Sequence, residues 1–127
     1  MKQEDKNLLL QDLCARLPYG VKIRIEYPFL KEEEWHPEIL YGLDLQRLCI
    51  ANTSIRLEEF KAYLFPLSSM TEEQIEELIK FINTGQNDNN EFMRSLCRIE
   101  FYHKHHFDYR GLIPMGLAID ATNLNIY

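Results

Sequence analysis

The stretch at residues 103–108 holds the residue types best suited to chemistry. It reads His103-Lys104-His105-His106-Phe107-Asp108 and contains three of the four histidines of the chain. Imidazole and carboxylate groups are common metal ligands, and His103 and His106 share a helical face at i and i+3. With Asp108 they would form the ligands of a metal-dependent hydrolase or nuclease. The spacing fits neither an HExxH helix motif nor an HxHxDH loop.

A structural role for each residue is the simpler interpretation of the same stretch, and a surface that binds a protein partner is the third. His103 would close an apolar stripe, and Asp108 would cap the following turn and pair with Arg110. Trp35, the only tryptophan, stands in a charged loop, where it would act as a binding anchor or as a lid on the sheet. The partner-binding candidates are Trp35, His105, His106, Asp108, Tyr109 and Arg110.

Motifs for nucleophilic catalysis or phosphate binding do not occur in the sequence. There is no GxSxG elbow and no glycine-rich loop, because the five glycines are scattered. Cys14, Cys49 and Cys97 lie inside apolar patterns, which indicates small hydrophobes rather than a disulfide framework or a zinc knuckle. We therefore expect a non-enzymatic interaction protein with no catalytic residue, bound metal or cofactor.

Negative charge is concentrated in the middle of the chain. The net charge of −6 divides into −1 for residues 1–57, −6 for residues 58–91 and +1 for residues 92–127. Nucleic-acid binders concentrate lysine and arginine on one face, so direct binding to nucleic acid is disfavoured. Segment 58–91 supports a different function, an acidic mimic of DNA that occupies a basic groove.

The first half of the chain predicts one helix and a small sheet. Residues 5–17 form an amphipathic helix with Asp5 as N-cap, and its apolar stripe ends before Pro18. Alternation with a period of two then predicts strands separated by short connections. The helix stripe is Leu10, Leu13, Cys14 and Leu17, and the strand positions include Val21, Ile23, Ile25, Ile39, Tyr41, Leu43, Leu48, Ile50, Ile55, Leu57 and residues 61–65.

Two further helices follow. Thr71 and Gln74 have the spacing of a capping box, which marks the start of the first helix. Its predicted buried stripe is Ile75, Leu78, Ile79 and Ile82. The second helix begins near Asp88 or Asn90 and has a stripe at Phe92, Leu96, Ile99 and His103, before an irregular, packed tail from Gly111.

Together these elements predict an α+β fold. It has an N-terminal helix, a small antiparallel sheet (a meander or a half-open barrel) of four or five strands, two C-terminal helices and a packed irregular tail. With 127 residues and 46% hydrophobic residues, we expect a single domain spanning residues 1–127. The longest early apolar run is Leu8-Leu9-Leu10, so we expect neither a signal peptide nor a membrane span, and a cytoplasmic location.

Three segments of the chain resemble a group of uncharacterised small proteins from Bacteroides-type gut bacteria, often encoded in prophages or other mobile elements. The segments are LLLQDLCARLPYGVKI near the start, PLSSMTEE in the middle and HHFDYRGLIPMGLAID near the end. Residues 28–60 match least well. The resemblance implies a small accessory protein of a mobile element, and it implies no activity, cofactor or catalytic residue.

Overall fold

The computed structural model of the chain describes residues 2–26, 31, 37–40, 42–44, 47–50, 53–56, 60–84 and 91–127, with the backbone alone for 42–44, 47–50, 53–56 and 84. The helices are α1 (Gln3–Arg16), α2 (Glu72–Thr84) and α3 (Glu91–Lys104), with 3-10 turns at Leu17–Tyr19 and Leu67–Ser69. The strands are β1 (Lys22–Ile25), β2 (Pro37–Ile39), β3 (Gly42–Asp44), β4 (Arg47–Ile50), β5 (Thr53–Arg56), β6 (Phe60–Pro66), β7 (Phe107–Asp108) and β8 (Ala118–Asp120). The α+β class is therefore confirmed. Within these residues, no helix is long and apolar enough to cross a membrane.

Helix α1 begins earlier and is rotated relative to the sequence-based prediction. Its N-cap is Lys2, which makes no side-chain capping bond, so the prediction of Asp5 as the cap is wrong. Leu9 and Leu13 are fully buried and Cys14 is exposed. The helix turns this way because it also buries two charged residues one turn apart, described below. Gly20, at φ 69°, ends the following 3-10 turn in the left-handed region that glycine tolerates.

The main sheet has five strands and is mixed. β1 lies between β2 and β6 and is antiparallel to both, as expected, with Ile23 opposite Glu38 and Ala62. β7 and β8 pair with β6 in the parallel direction. The α2–α3 hairpin carries the chain back from the end of β6, and a crossover of this length is what parallel pairing requires. The expectation of an entirely antiparallel sheet is therefore wrong for β7 and β8.

A second sheet interrupts the expected meander. β3, β4 and β5 form a three-stranded antiparallel sheet in sequence order, inserted between β2 and β6. The described residues thus contain eight strands rather than four or five. The predicted positions Tyr41 and Leu57 lie outside the described residues. The tail, expected to be irregular, contributes β8, because Ala118 pairs with Ala62 of β6.

Strand β6 separates two hydrophobic clusters. Its side chains alternate, so Ala62 and Leu64 join a core made with α1, β1 and the tail. Phe65 packs with a second cluster around Leu78 of α2, Phe101 of α3 and Phe107 of β7. Helix α1 and the α2–α3 hairpin are therefore anchored to the sheet through different clusters.

The apolar stripes predicted for α2 and α3 are mostly not buried. Leu78 is buried, but Ile75 and Ile79 are 43% and 52% exposed. On α3 the buried positions are Phe101 and His103, whereas the other predicted stripe residues, Phe92, Leu96 and Ile99, are 68%, 45% and 37% exposed. Phe101 packs against Phe81 of α2 at 6.3 Å between ring centroids, so contact with α2 sets the rotation of α3.

The capping box that starts α2 is formed as its spacing predicts. The Thr71 N–H donates to Oε1 of Gln74 at 2.9 Å, and the Gln74 N–H donates to Oγ1 of Thr71 at 3.2 Å. Two backbone donors of the first turn are satisfied in this way.

Thr71→Ala is expected to lower the free energy of unfolding by about 1 kcal/mol, because it removes one side of the capping box. Urea denaturation measures this, with the exposed Glu76→Ala on the same helix as control. Equal midpoints for Thr71→Ala and the unmodified protein would contradict the role of the box.

Candidate functional site

The histidine-rich stretch spans the end of α3 and its junction with β7. The N–H of His105 still donates to the Phe101 carbonyl, at 3.1 Å, but His106 adopts φ 63° and ends the helix. The His106 carbonyl then accepts the Phe65 N–H at 2.8 Å, which starts the parallel pairing with β6. Because the backbone changes direction here, neighbouring side chains enter different environments.

A buried ion pair on α1 supports this junction. Arg16 donates from Nε to Oδ2 of Asp12 at 2.7 Å, and both side chains are fully buried. The same guanidinium donates from Nη2 to the Phe107 carbonyl at 2.6 Å. Two charges withdrawn from water must be neutralised by such partners to be tolerated. The pair therefore fixes α1 against β7 over 91 residues of sequence.

Two guanidinium groups lie close to the ring of Tyr109. The Cζ atoms of Arg16 and Arg110 are 5.5 and 5.1 Å from the centroid of its ring, within cation–π range. Nε of Arg110 donates to Oδ1 of Asp12 at 3.2 Å. The predicted pairing of Arg110 with Asp108 is wrong, because Asp12 is the carboxylate that Arg110 reaches.

His103 and Tyr109 share a hydrogen bond. The Nε2 atom of His103 lies 2.7 Å from the Tyr109 hydroxyl oxygen, and the tautomer of the imidazole decides which group donates. Burial, followed by the positive charges of Arg16 and Arg110, lowers the pKa of His103, although Asp12 and Glu100 oppose the change. The imidazole is therefore neutral at pH 7. Such a pair could relay a proton, but here it also fastens Tyr109 to α3.

Asp108 caps the turn that begins the tail. Its Oδ1 accepts the Leu112 N–H at 2.8 Å and its Oδ2 accepts the Ile113 N–H at 2.9 Å. The side chain is buried. The capping role inferred from the sequence is thus present, and each carboxylate oxygen accepts one backbone N–H.

His106 is covered by Tyr127. The rings of His106 and Tyr127 stack at 3.7 Å between centroids with an angle of 11° between planes. The Tyr127 hydroxyl donates to the Tyr63 carbonyl at 2.7 Å and accepts the Lys22 N–H at 2.9 Å. Burial, with the charges of Arg16, His105 and Lys22, lowers the pKa of His106 to about 4. Tyr127 is 41% exposed as a whole, but burial around its hydroxyl raises its pKa to about 12.

His105 borders a surface cavity of about 520 Å³ between α2 and α3. Its ring lies 4.3 Å from that of Phe101, and its Nε2 is 4.0 Å from Oε2 of Glu77. Burial is the main cause that lowers the pKa of His105, partly opposed by Glu77 and assisted by Lys104. The remaining lining comes from Tyr19, Phe81, Glu100 and Lys104.

The structure separates the candidate residues into three environments. His105 borders the cavity, Tyr109 and Arg110 are half-buried above the ion pair, and His106 and Asp108 are turned inward. Trp35 lies outside the described residues.

The residues proposed as metal ligands, His103, His106 and Asp108, each contact a different group. Among the residues described, no three histidine, cysteine or acidic side chains converge as a metal site.

The sequence patterns did not identify several residues that are important to this region. Asp12 and Arg16 have the i, i+4 spacing of side chains that pair on one helix face, but that spacing is the same for exposed and buried pairs. Tyr127 carries no such signal, because its contact with His106 depends on the path of the whole tail. Tyr19 lies after the helix-ending proline, and nothing local indicates that it lines a cavity.

Comparison with known proteins adds no relative: no protein-family model, no curated protein and no solved structure matches the chain. The geometry of the molecule is therefore the basis for the functional proposals below.

The buried ion pair makes stability sensitive to Asp12. Asp12→Asn leaves the Arg16 charge buried without a carboxylate, so a loss of about 3–5 kcal/mol in the free energy of unfolding is expected. Arg110→Gln removes only a half-buried contact and should cost at most about 1 kcal/mol. Chemical denaturation of both variants gives the comparison. Similar losses of unfolding free energy for the two variants would show that the buried Asp12–Arg16 pair contributes no more to stability than the half-buried contact of Arg110.

Acid should weaken the contact between His106 and Tyr127. The folded protein holds His106 with a pKa of about 4, below its usual 6.5, so the unfolded chain binds more protons between these values. Stability should therefore fall as the pH drops from about 6.5 to 4, by about 2 kcal/mol after allowance for partial solvent exposure.

A variant without the titrating group isolates this effect. His106→Phe keeps a ring against Tyr127 but binds no proton, so the acid-dependent loss of unfolding free energy should shrink. His105→Gln, which removes a less buried histidine, is the control and should reduce the loss less. Urea denaturation at several pH values between 7 and 4.5 measures both. An unchanged pH profile in His106→Phe would rule out His106 as its source.

Proposed function

We propose that the protein is a small non-enzymatic accessory protein that acts through a protein partner, and that the partner binds the α2–α3 hairpin. The observation that carries this proposal is the exposure of apolar side chains on these helices. Of the twelve large hydrophobic residues that are exposed in the described part of the chain, seven lie on α2 and α3. They are Ile75, Ile79, Phe81, Phe92, Met93, Leu96 and Ile99.

Exposed apolar residues at helical spacing are typical of a helix that packs against something else. The apolar stripe of α3 includes Leu96 and Ile99 and ends at His103. His103 is buried, but Leu96 and Ile99 are exposed, so the stripe is longer than the buried part of the helix. Burying the exposed half of an isoleucine or leucine contributes about 1 kcal/mol. A few such residues would therefore supply much of the affinity of a modest protein complex.

Charged and aromatic groups next to the hairpin support a protein partner as well. Arg110 and Tyr109 are half-buried and held in place by Asp12 and His103, so little conformational entropy would be lost when a partner contacts them. Arginine, tyrosine and tryptophan are enriched among the residues that dominate interface energies. Within this proposal, His105, Tyr109 and Arg110 flank the interface, and Trp35 remains a predicted anchor.

The setting proposed for this function comes from the sequence. The resemblance to small proteins of prophages and other mobile elements supports an accessory role in such an element, acting in the cytoplasm.

The alternative function, an acidic mimic of DNA, is supported by the exposed glutamates at the start of α2, namely Glu72, Glu73, Glu76 and Glu77. The two functions differ in how binding responds to salt, because charge-driven binding is screened and apolar burial is not.

Affinity capture with matched variants tests the proposal. The tagged protein and the double variant Leu96→Asp/Ile99→Asp would be exposed to a host lysate, with Arg98→Asp, an exposed change on the same helix, as control. We expect one stoichiometric protein partner that is retained by the control and lost, by at least about tenfold, in the double variant. Far-UV circular dichroism verifies that α3 is intact in each.

The other outcomes of the capture experiment would contradict the proposal or favour the alternative function. A partner bound equally by the double variant would show that the hairpin is not the interface, and the absence of any stoichiometric partner would contradict the proposed function. A partner that is released at about 0.5 M salt, where screening reaches a few ångströms, and that the Leu96→Asp/Ile99→Asp variant still binds would favour the acidic mimic. A partner retained at that salt would support apolar docking on the hairpin.

A further inference from the structure

The cavity between α2 and α3 has walls of two kinds. Aromatic rings of Tyr19, Phe81 and Phe101 form its apolar part, and the carboxylates of Glu77 and Glu100 stand on different helices at its edge. We propose that this cavity binds a cationic side chain, the guanidinium of arginine or the ammonium of lysine, from a basic segment of the protein partner. The inference rests on the proposed function and adds the chemistry of the partner.

The aromatic walls suit a cation. Phe81 is 38% exposed and Tyr19, in the 3-10 turn that follows α1, is half-buried, so these two rings are open to a ligand, whereas the buried Phe101 supports Phe81 from behind at 6.3 Å between ring centroids. The face of an aromatic ring attracts a cation within about 6 Å, and the attraction grows as the cation loses water. Arginine and lysine also carry aliphatic stems, which bury favourably against such rings.

The two carboxylates retain hydrogen-bonding capacity towards a ligand. The Tyr19 hydroxyl donates to Oε1 of Glu100 at a long 3.5 Å, and Oε2 of Glu77 is 4.0 Å from the His105 ring nitrogen. A carboxylate accepts several hydrogen bonds, so these weak contacts leave lone pairs for a guanidinium or ammonium group. Because Glu77 belongs to α2 and Glu100 to α3, a bound cation would contact both helices.

The charges around the cavity favour a cation over an anion. Lys104 is exposed on a flexible stem, and His105 is neutral at pH 7 because burial lowers its pKa. Two carboxylates and one ammonium give the lining a net charge of −1 at that pH. Glu72, Glu73 and Glu76 extend the negative surface along α2, which favours an extended basic segment over an isolated small amine. The cavity volume of about 520 Å³ is ample for one long side chain.

Titrations followed by ¹H–¹⁵N correlation spectra of the full chain test this assignment. The probes are N-acetyl-arginine methylamide and N-acetyl-lysine methylamide as single residues, a basic octapeptide of alternating arginine and serine, and N-acetyl-glutamate methylamide as the anionic control. We expect saturable shifts at the amides of Phe101, Lys104 and His105 with the cationic probes and none with the anionic one. The octapeptide should bind at least about tenfold more tightly than the single residues, since it also contacts the glutamates along α2.

Conservative variants identify the residues responsible. Glu77→Gln/Glu100→Gln should weaken octapeptide binding by about tenfold, which is the sum expected from two partly exposed ion pairs. Glu4→Gln, an exposed change on α1 that lies outside the cavity lining and the acidic surface of α2, should change it by less than about threefold. Chemical-shift changes that the anionic probe also causes would overturn the assignment of a cation site. So would an octapeptide affinity that is unchanged in the Glu77→Gln/Glu100→Gln variant. Single residues that bind as tightly as the octapeptide would overturn the assignment to a partner segment.

Failure of this inference can be separated from failure of the proposed function. The Glu77→Gln/Glu100→Gln variant would also be used in the capture experiment, with Leu96→Asp/Ile99→Asp beside it. A partner lost only in the apolar double variant would keep the interaction function and overturn the cation site. A partner weakened in both variants, together with cation-specific shifts, would support both proposals.

Discussion

The fully buried guanidinium of Arg16 is the group to which much of the surrounding structure is adapted. It is the largest of the fully buried side chains in the described residues, and a charge at such a position is tolerated only with close partners. Asp12 supplies the opposite charge from one turn earlier on α1, and the Phe107 carbonyl accepts a second hydrogen bond. These contacts determine which face of α1 turns inward and bring the end of α3 against it.

The position of Phe107 connects this charge to the topology of the sheet. Phe107 begins β7, and β7 pairs in parallel with the end of β6. The chain between them forms the α2–α3 hairpin, which packs on its own hydrophobic cluster. The tail then continues through the turn capped by Asp108 and returns to β6 as β8. Finally, Tyr127 covers His106 and hydrogen-bonds to Tyr63 and Lys22. The polar groups of residues 103–110 thus mainly hold the parts of the fold together.

The helical hairpin is the surface on which we propose that a partner binds, because the polar groups of residues 103–110 are used within the fold. The fold covers α2 and α3 through Leu78, Phe101 and His103 and leaves much of their apolar side chains in water. Exposed hydrophobic groups, a cavity with aromatic and acidic walls, and half-buried arginine and tyrosine lie on or beside the same two helices. This combination of surfaces is the basis of our proposal that the protein binds another protein.

Local patterns in the sequence determined the element types. The capping box of Thr71 and Gln74, the alternation of Val21, Ile23 and Ile25, and the cap formed by Asp108 each act over a few residues, so their spacing is sufficient to predict them. Tertiary structure decided which helical faces are buried, which strands pair in parallel, and which carboxylate Arg110 reaches. Those outcomes depend on contacts between residues far apart in the chain, such as Arg16 with Phe107, or His106 with Tyr127. A period of 3.6 residues indicates that a helix has an apolar face, but only the rest of the fold decides whether that face is covered or left for a partner.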